Sequence, residues 1–160
     1  MADSSELKYI KAKKKEVEPI SGLEALCFPN PWTYDMLYSD ICENKITEYV
    51  LCSKGERPVG YGGMWLICDE AHITNICTHP KYRKKGIGSG ILEWLMKKAV
   101  EMGAERMTLE VRVSNVAAMH LYESHGFHIY GKRNGYYSDN GEDAYILWCD
   151  DLKSFSGMDS

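Results

Sequence analysis

No run of apolar residues in this 160-residue chain approaches the ~20 needed to span a bilayer. Residues 1–18 are polar and lysine-rich and lack the apolar core of an export signal. Neither a membrane anchor nor secretion is expected, and the protein is expected in the cytoplasm. The six cysteines, Cys27, Cys42, Cys52, Cys68, Cys77 and Cys149, include no C-x-x-C pair and no histidine at metal-ligand spacing. They are expected as small buried apolar residues in a reducing compartment, with no disulfide and no metal. Positive charge is also in short supply, 19 Lys and Arg against 23 Asp and Glu for a net charge of -4. Because a nucleic-acid surface must neutralise phosphates with a basic patch, direct nucleic-acid binding is not expected, and a basic polypeptide suits the chain better. There is no internal repeat. The 44% hydrophobic and 26% charged residues are ordinary globular proportions, which predict one domain over 1–153 and a flexible tail over 154–160.

What is present is a chain whose hydrophobic period changes several times. Leu7 to Lys13 reads as an opening edge strand followed by a solvated lysine run. Two helical segments fill Glu16 to Asn44, broken at Pro29-Asn30-Pro31, with Thr33 as N-cap of the second. Glu48 to Ser53, Pro58 to Cys68 and Ala71 to Thr78 read as an antiparallel meander, and Ile87, Ile91, Leu95, Ala99 and Met102 as the stripe of a helix ended by Gly103. Arg106 to Val113 alternates as a strand. Asn115 opens a further helix with Ala118, Leu121, Tyr122 and His125 on one stripe, and Phe127 to Lys132 and Ala144 to Cys149 close the domain as strands. The pattern is that of a mixed α/β sheet flanked by helices.

The most informative segment runs from Ile76-Cys77-Thr78 through Arg83-Lys84-Lys85-Gly86-Ile87-Gly88-Ser89-Gly90. Glycines admit close approach of a ligand to the backbone, the first N–H groups of a helix lack intrahelical partners, and the helix dipole adds positive potential, so a strand, a basic glycine turn and a helix start make an anion site. A flexible turn beside three solvated cations is the alternative. The segment is neither the G-x-x-x-x-G-K-S/T phosphate loop nor a complete dinucleotide fingerprint, which makes ATP and NAD poor ligands for it.

Arg83-x-x-Gly86-x-Gly88 after a strand resembles the R/Q-x-x-G-x-G/A signature with which enzymes of the GNAT superfamily hold the pyrophosphate of coenzyme A. Cys27-Phe28-Pro29-Asn30-Pro31-Trp32, Leu109-Glu110-Val111-Arg112-Val113-Ser114-Asn115 with Leu121-Tyr122-Glu123, and Tyr136-Tyr137 with Gly141-Glu142-Asp143-Ala144 resemble the RimI branch of that superfamily. The likeness spans nearly the whole chain. It departs at Cys77-Thr78, where the family usually has Ala-Val, and at Asn134-Gly135, a position that varies between branches.

The resemblance implies a GNAT fold with a central, mostly antiparallel sheet, and acetyl-CoA as cosubstrate held by Ile76, Cys77, Thr78, Arg83, Lys84, Lys85, Gly86, Ile87, Gly88, Ser89 and Asn115. For Asn115 a plain helix cap is an equally physical role. It implies Glu110 as general base and Tyr122 as general acid, set against a surface glutamate paired with Arg112 or a lysine, and a core tyrosine. A partly buried Glu110 is expected to have a raised pKa. Trp32, Tyr34, Tyr136 and Tyr137 are implied as the peptide groove, with core or hairpin packing as the alternative. The implied substrate is the N-terminal alanine of a basic small-subunit ribosomal protein, protein S eighteen. The acidic set Asp139, Glu142, Asp143, Asp150 and Asp151 is either a solvated face or a steering surface for such a tail. A GNAT enzyme acting on lysine or a small amine, and an acetyl-CoA-binding module without turnover, stand as the other readings.

Overall fold

The structure, a computed structural model, describes residues 6–155. Seven strands form a mixed sheet in the order β1-β2-β3-β4-β5-β7-β6, with β1 Leu7–Lys11, β2 Thr47–Lys54, β3 Arg57–Ile67, β4 Glu70–Thr78, β5 Arg106–Arg112, β6 His128–Arg133 and β7 Ala144–Cys149. Among the described residues five α-helices accompany them: α1 Val17–Cys27, α2 Tyr34–Tyr38, α3 Ile87–Glu101, α4 Val116–Ser124 and α5 Leu152–Phe155. The β1–β2, β2–β3, β5–β7 and β6–β7 pairs are antiparallel and β4–β5 is parallel. This is the α/β architecture that the element order predicts, with β1 at an edge as its lysines suggest. The chain divides into two compact units, one of the residues up to Trp65 with Thr74–Leu95, the other of Leu66–Ile73 with the residues from Met96 onward.

In the first unit, α1 turns Val17, Ile20 and Leu23 onto Leu37, Tyr49, Leu51, Tyr61 and Cys77, a dry core. Glu24 on the same helix is 3% exposed, and it is satisfied there: Oε1 accepts from the Tyr61 hydroxyl and Oε2 from the Trp32 backbone N–H at 3.0 Å. A buried carboxylate thus fixes the start of the Trp32 turn, which a proline-broken chain could not fix by helix hydrogen bonds. Thr33 caps α2 as expected, its Oγ1 accepting from Met36 N–H at 3.2 Å.

The expectation of six free, buried cysteines is corrected. Cys27 and Cys77 form a disulfide, with Cα atoms 6.5 Å apart, because α1 lays its last turn on β4 and brings together residues separated by 50 positions. Cys42 and Cys68 are exposed, and only Cys52 and Cys149 are free buried thiols of the expected kind. The stripe of α3 is buried at Ile87, Ile91, Leu92, Leu95, Met96 and Ala99, whereas Met102, past the helix end, is half exposed.

In the second unit, Met107, Leu109 and Val111 of β5 are buried and its other face carries Thr108, Glu110 and Arg112, as the alternation predicts. On α4 the buried side chains are Met119 and Tyr122. Residues 154 and 155 belong to α5, not to a tail: Leu152 is fully buried and the Phe155 ring occupies the space where a Cβ on Gly126 would stand. Residues 156–160 of the expected tail lie outside the described residues.

The close approach of α3 to β3 depends on glycine. A Cβ on Gly62 would stand 2.5 Å from Cγ2 of Ile91 and 3.1 Å from Cδ1 of Leu95, whereas one on Gly22, exposed in the interior of α1, would meet nothing within 4 Å. Opposite signs follow for two substitutions. Thermal unfolding of Gly62→Val should show a loss of about 1–3 kcal/mol from overpacking, and Gly22→Ala a gain of about 0.5–1 kcal/mol from helix propensity. Shifts of the same sign would contradict this packing.

Candidate active site

In the first unit, β4 ends at Thr78 and a turn of 3-10 helix, Pro80–Tyr82, leads to the basic segment. The turn is locked from both sides. His79 N–H bonds to the Val59 carbonyl at 2.8 Å, and the Arg83 Nε–H bonds back to the Thr78 carbonyl at 3.3 Å. Lys84 and Gly86 adopt left-handed backbone, φ 64° and 82°. That conformation is rare for a lysine and is held only where its surroundings demand it. The first i→i−4 bond of α3 is Gly90 N–H to Gly86 C=O, 3.0 Å, so the N–H groups of Gly86, Ile87 and Gly88 precede the helix ladder. A Cβ on Gly86 would meet nothing within 4 Å, which leaves an open cradle. Arg83, Lys84 and Lys85 are exposed around it and Ile87 is buried as the anchor of the helix. Free N–H groups, a helix start, cations and open space fit a pyrophosphate. Gly90 has another reason to be glycine: the Tyr9 hydroxyl fills the place of its Cβ. Cys77 is 3% exposed and tied to Cys27, so only its backbone is offered to a ligand.

The second unit gathers the ionisable groups. Glu110, its side chain 11% exposed, places Oε1 2.7 Å from Nε2 of His72 and Oε2 3.6 Å from Nε of Arg133. The pairing is not with Arg112 or a lysine. It also reverses the expected pKa: the hydrogen bond from His72, outweighing the cost of burial and joined by the charge of Arg133, holds the Glu110 carboxyl below its ordinary value. Glu110 is present as a carboxylate throughout the neutral range. Tyr122, 8% exposed, packs edge-on against Phe127 with ring centres 5.8 Å apart. Burial raises its pKa, with the nearby Tyr137 adding to the effect, so the phenol keeps its proton and is a donor. Asn115 caps α4, Oδ1 accepting from Ala118 N–H at 3.1 Å.

Arg112 organises the turn between β6 and β7. Its guanidinium lies 4.0 Å from the centre of the Tyr137 ring and bonds Asp139 at 2.8 Å and Glu142 at 3.3 Å. Ser114 N–H donates to Glu142 at 2.8 Å, and hydrogen bonding from Ser114 lowers the pKa of that carboxyl. The turn presents Tyr136, 47% exposed, with its ring edge-on to Tyr137 at 5.0 Å. Burial raises the Tyr136 pKa and the charge of Glu110 raises it further. Burial pushes Tyr137 up to about 12. Charge thus couples Glu110 to Tyr136 and Tyr137, and Tyr137 to Tyr122.

Trp32 and Tyr34 belong to the first unit, both half exposed. Tyr34 shares a surface groove of about 620 Å³ with Lys13, Lys14, Lys15 and Glu18, a lysine wall that suits a basic peptide poorly. Four of the five acidic residues have basic neighbours: Asp139 and Glu142 are held by Arg112, Asp143 by Lys132 at 3.7 Å, and Asp150 lies 3.2 Å from His128, whereas Asp151 accepts from the Ser154 hydroxyl at 2.7 Å. His72 and Arg133 were not singled out by sequence. The alternation of β4 sets His72 on a face, but only its pairing with Thr108 on β5 shows that the face is that of Glu110. Among the described residues no group of three or more His, Cys, Asp or Glu is placed to hold a metal ion, and no helix is long and apolar enough to cross a membrane.

Residues 17–127 match the model of the acetyltransferase (GNAT) family. A Bacillus subtilis protein provisionally named as a ribosomal protein bS18-alanine N-acetyltransferase is 39% identical over 134 residues, 84% of this chain and 89% of that one. The ribosomal protein bS18-alanine N-acetyltransferase of Escherichia coli K12 is 42% identical over 84 residues, 51% of this chain and 57% of its own. The crystal structure of the Escherichia coli ribosomal-protein alanine N-acetyltransferase superposes with a TM-score of 0.81 at 27% identity, covering 89% of this chain and 92% of that one.

A lowered carboxyl is the property of this site most open to direct measurement. In carboxyl-resolved NMR the Glu110 resonance should titrate with a midpoint below 4.5, the ordinary glutamate value. Since the folded pKa is the depressed one, the associated stability is present above the unfolded value and is lost as pH falls through the folded midpoint. A midpoint at or above 4.5 would contradict the hydrogen-bonded arrangement.

Proposed function

The chain belongs to the acetyltransferase (GNAT) family, and from that premise we propose that it transfers the acetyl group of acetyl-CoA to the α-amine of an alanine at the start of a basic ribosomal protein, the bS18 class for which its relatives are named. As a member of that family it is an N-acetyltransferase. The proposal takes residues 1–153 as one acetyltransferase domain, acting in the cytoplasm.

Acetyl-CoA supplies a thioester carbonyl that an amine can attack with departure of a thiolate. The segment Arg83 to Ser89 would hold the pyrophosphate on N–H groups and cations, and the backbone of Ile76, Cys77 and Thr78 would flank the pantetheine arm. Glu110 accepts the proton that the nitrogen sheds as it bonds to carbon. Tyr122, kept protonated by burial, donates its hydroxyl proton to the departing sulfur. Tyr136 and Tyr137 form the wall beside Glu110 on which the first residues of the peptide lie. Trp32 and Tyr34 are assigned to the same peptide by family likeness, Tyr34 beside Lys13, Lys14 and Lys15.

The observation that carries the choice of an α-amine is the low basicity of Glu110. Lysine asks more of a single carboxylate, because its pKa of about 10.4 leaves less than about one part in a thousand neutral at pH 7. An α-amine with a pKa of about 7.7–8.0 is roughly a tenth neutral at that pH. It binds ready to attack, and the proton lost after attack is acidic enough for a carboxylate to take.

The test is mass spectrometry of an alanine-initiated basic peptide that also carries an internal lysine, incubated with enzyme and acetyl-CoA. Acetyl should appear on the α-amine, and an N-terminally blocked control should stay unmodified. Acetylation mainly on lysine, or equal modification of the blocked peptide, would favour the lysine or small-amine reading; binding of acetyl-CoA with no turnover on any amine would favour the non-catalytic one.

A further inference from the structure

The parallel pairing of β4 with β5 sets His72 opposite Thr108, so His72 stands on the face of the sheet that carries Glu110, two residues further along β5. The contact is direct: Nε2 of His72 is 2.7 Å from Oε1 of Glu110, and both side chains are largely covered, 21% and 11% exposed. An ionised carboxylate can only accept, so Nε2 carries the hydrogen. Oε2 has its neighbouring cation, Nε of Arg133, at 3.6 Å, beyond hydrogen-bonding distance. The two oxygens of one carboxylate are thus treated differently, Oε1 tethered and Oε2 left with lone pairs to offer.

We propose that His72 is a positioning residue of the acetyl transfer: by donating Nε2–H to Oε1 of Glu110 it fixes the carboxylate so that Oε2 takes the proton of the attacking amine. This rests on Glu110 being the base of the reaction proposed above. No proton is transferred to or from His72; the amine proton goes to Oε2 and the Nε2–H bond is kept throughout. A glutamate side chain has three rotatable bonds, and displacing the accepting oxygen by about 1 Å is enough to slow a reaction by about two orders of magnitude. The lowering of the Glu110 pKa has the same hydrogen bond as its leading cause.

The experiment compares His72→Phe, His72→Gln, Glu110→Gln and the His72→Phe/Glu110→Gln double variant of the whole chain, with acetyl-CoA and an alanine-initiated basic peptide. His72→Phe is expected to lower kcat by about 10- to 100-fold with the KM for acetyl-CoA unchanged. His72→Gln should recover most of that loss, since its amide nitrogen reaches the place of Nε2. In the double variant, loss of His72 should slow the enzyme no further than Glu110→Gln alone, because it acts only through that carboxylate. Additive losses, or a Gln variant as slow as the Phe variant, overturn the proposal. Should His72→Phe fail to fold by thermal melting, His72→Gln is set against His72→Asn, whose amide is one methylene too short to reach; equal rates then overturn it. A Glu110→Gln enzyme with undiminished kcat removes the base itself and the proposed reaction with it, whereas a slow Glu110→Gln beside an unaffected His72→Phe removes only the part assigned to His72.

Discussion

The electrostatics of the second unit turn on one hydrogen bond, the 2.7 Å contact of His72 with Glu110. Burying a carboxylate in a sheet face disfavours its charged form, and a carboxyl left to burial alone would drift toward neutrality. The imidazole N–H and the guanidinium of Arg133 reverse that tendency, and the result is a carboxylate that is ionised at neutral pH, tethered and weakly basic. Weakness is an asset for a nucleophile that arrives partly neutral, and the reading as an α-amine acetyltransferase draws on it. Tyr122 is the complementary case. Burial without a stabilising partner for the phenolate raises its pKa, and the same physics that would neutralise Glu110 keeps Tyr122 protonated.

The fold supplies these environments through register. Because β4 and β5 run parallel, a residue on β4 and one two places past its partner on β5 meet on one face, and this brings a histidine to a glutamate 38 positions away in sequence. Arg112, next on that face of β5, is turned to a different task, holding Asp139, Glu142 and the ring of Tyr137, so that the turn after β6 keeps its aromatic wall in place. In the first unit, glycines at Gly60 and Gly62 let α3 lie directly on β3, and the left-handed Lys84 and Gly86 set up the start of that helix. The cradle for an anion is a by-product of backbone geometry and needs no particular side chain at Cys77 or Thr78.

Much of this was legible in the sequence because it is local. Periodicity marks the strands and every helix but α5 to within a residue or two, Thr33 and Asn115 act as the caps their types suggest, and the Arg83 to Gly90 pattern marks a strand, turn and helix start. What could not be read depends on contacts between distant residues. The direction of the Glu110 shift required knowing that His72 lies across from it; burial alone suggested the opposite sign. The Cys27–Cys77 link has no spacing signature, as it arises from how α1 lies on β4. The acidic residues near the C-terminal strands read as a free surface, yet their partners Arg112, Lys132 and His128 come from β5 and β6. Gly90 read as part of a phosphate loop and proves to make room for Tyr9, from the far end of the unit's sequence.

The claim at the centre of this account is that Glu110 takes the proton of an amine already partly neutral, and its most direct test is the pH dependence of the rate ratio between the native enzyme and Glu110→Gln on an alanine-initiated basic peptide. Because both enzymes must bind the amine in its neutral form and Glu110 is ionised throughout the neutral range, the account predicts a ratio well above one that stays level between about pH 6 and 9 while both rates rise with the free amine. A ratio that falls toward one as pH approaches 9, or that equals one throughout, would contradict it.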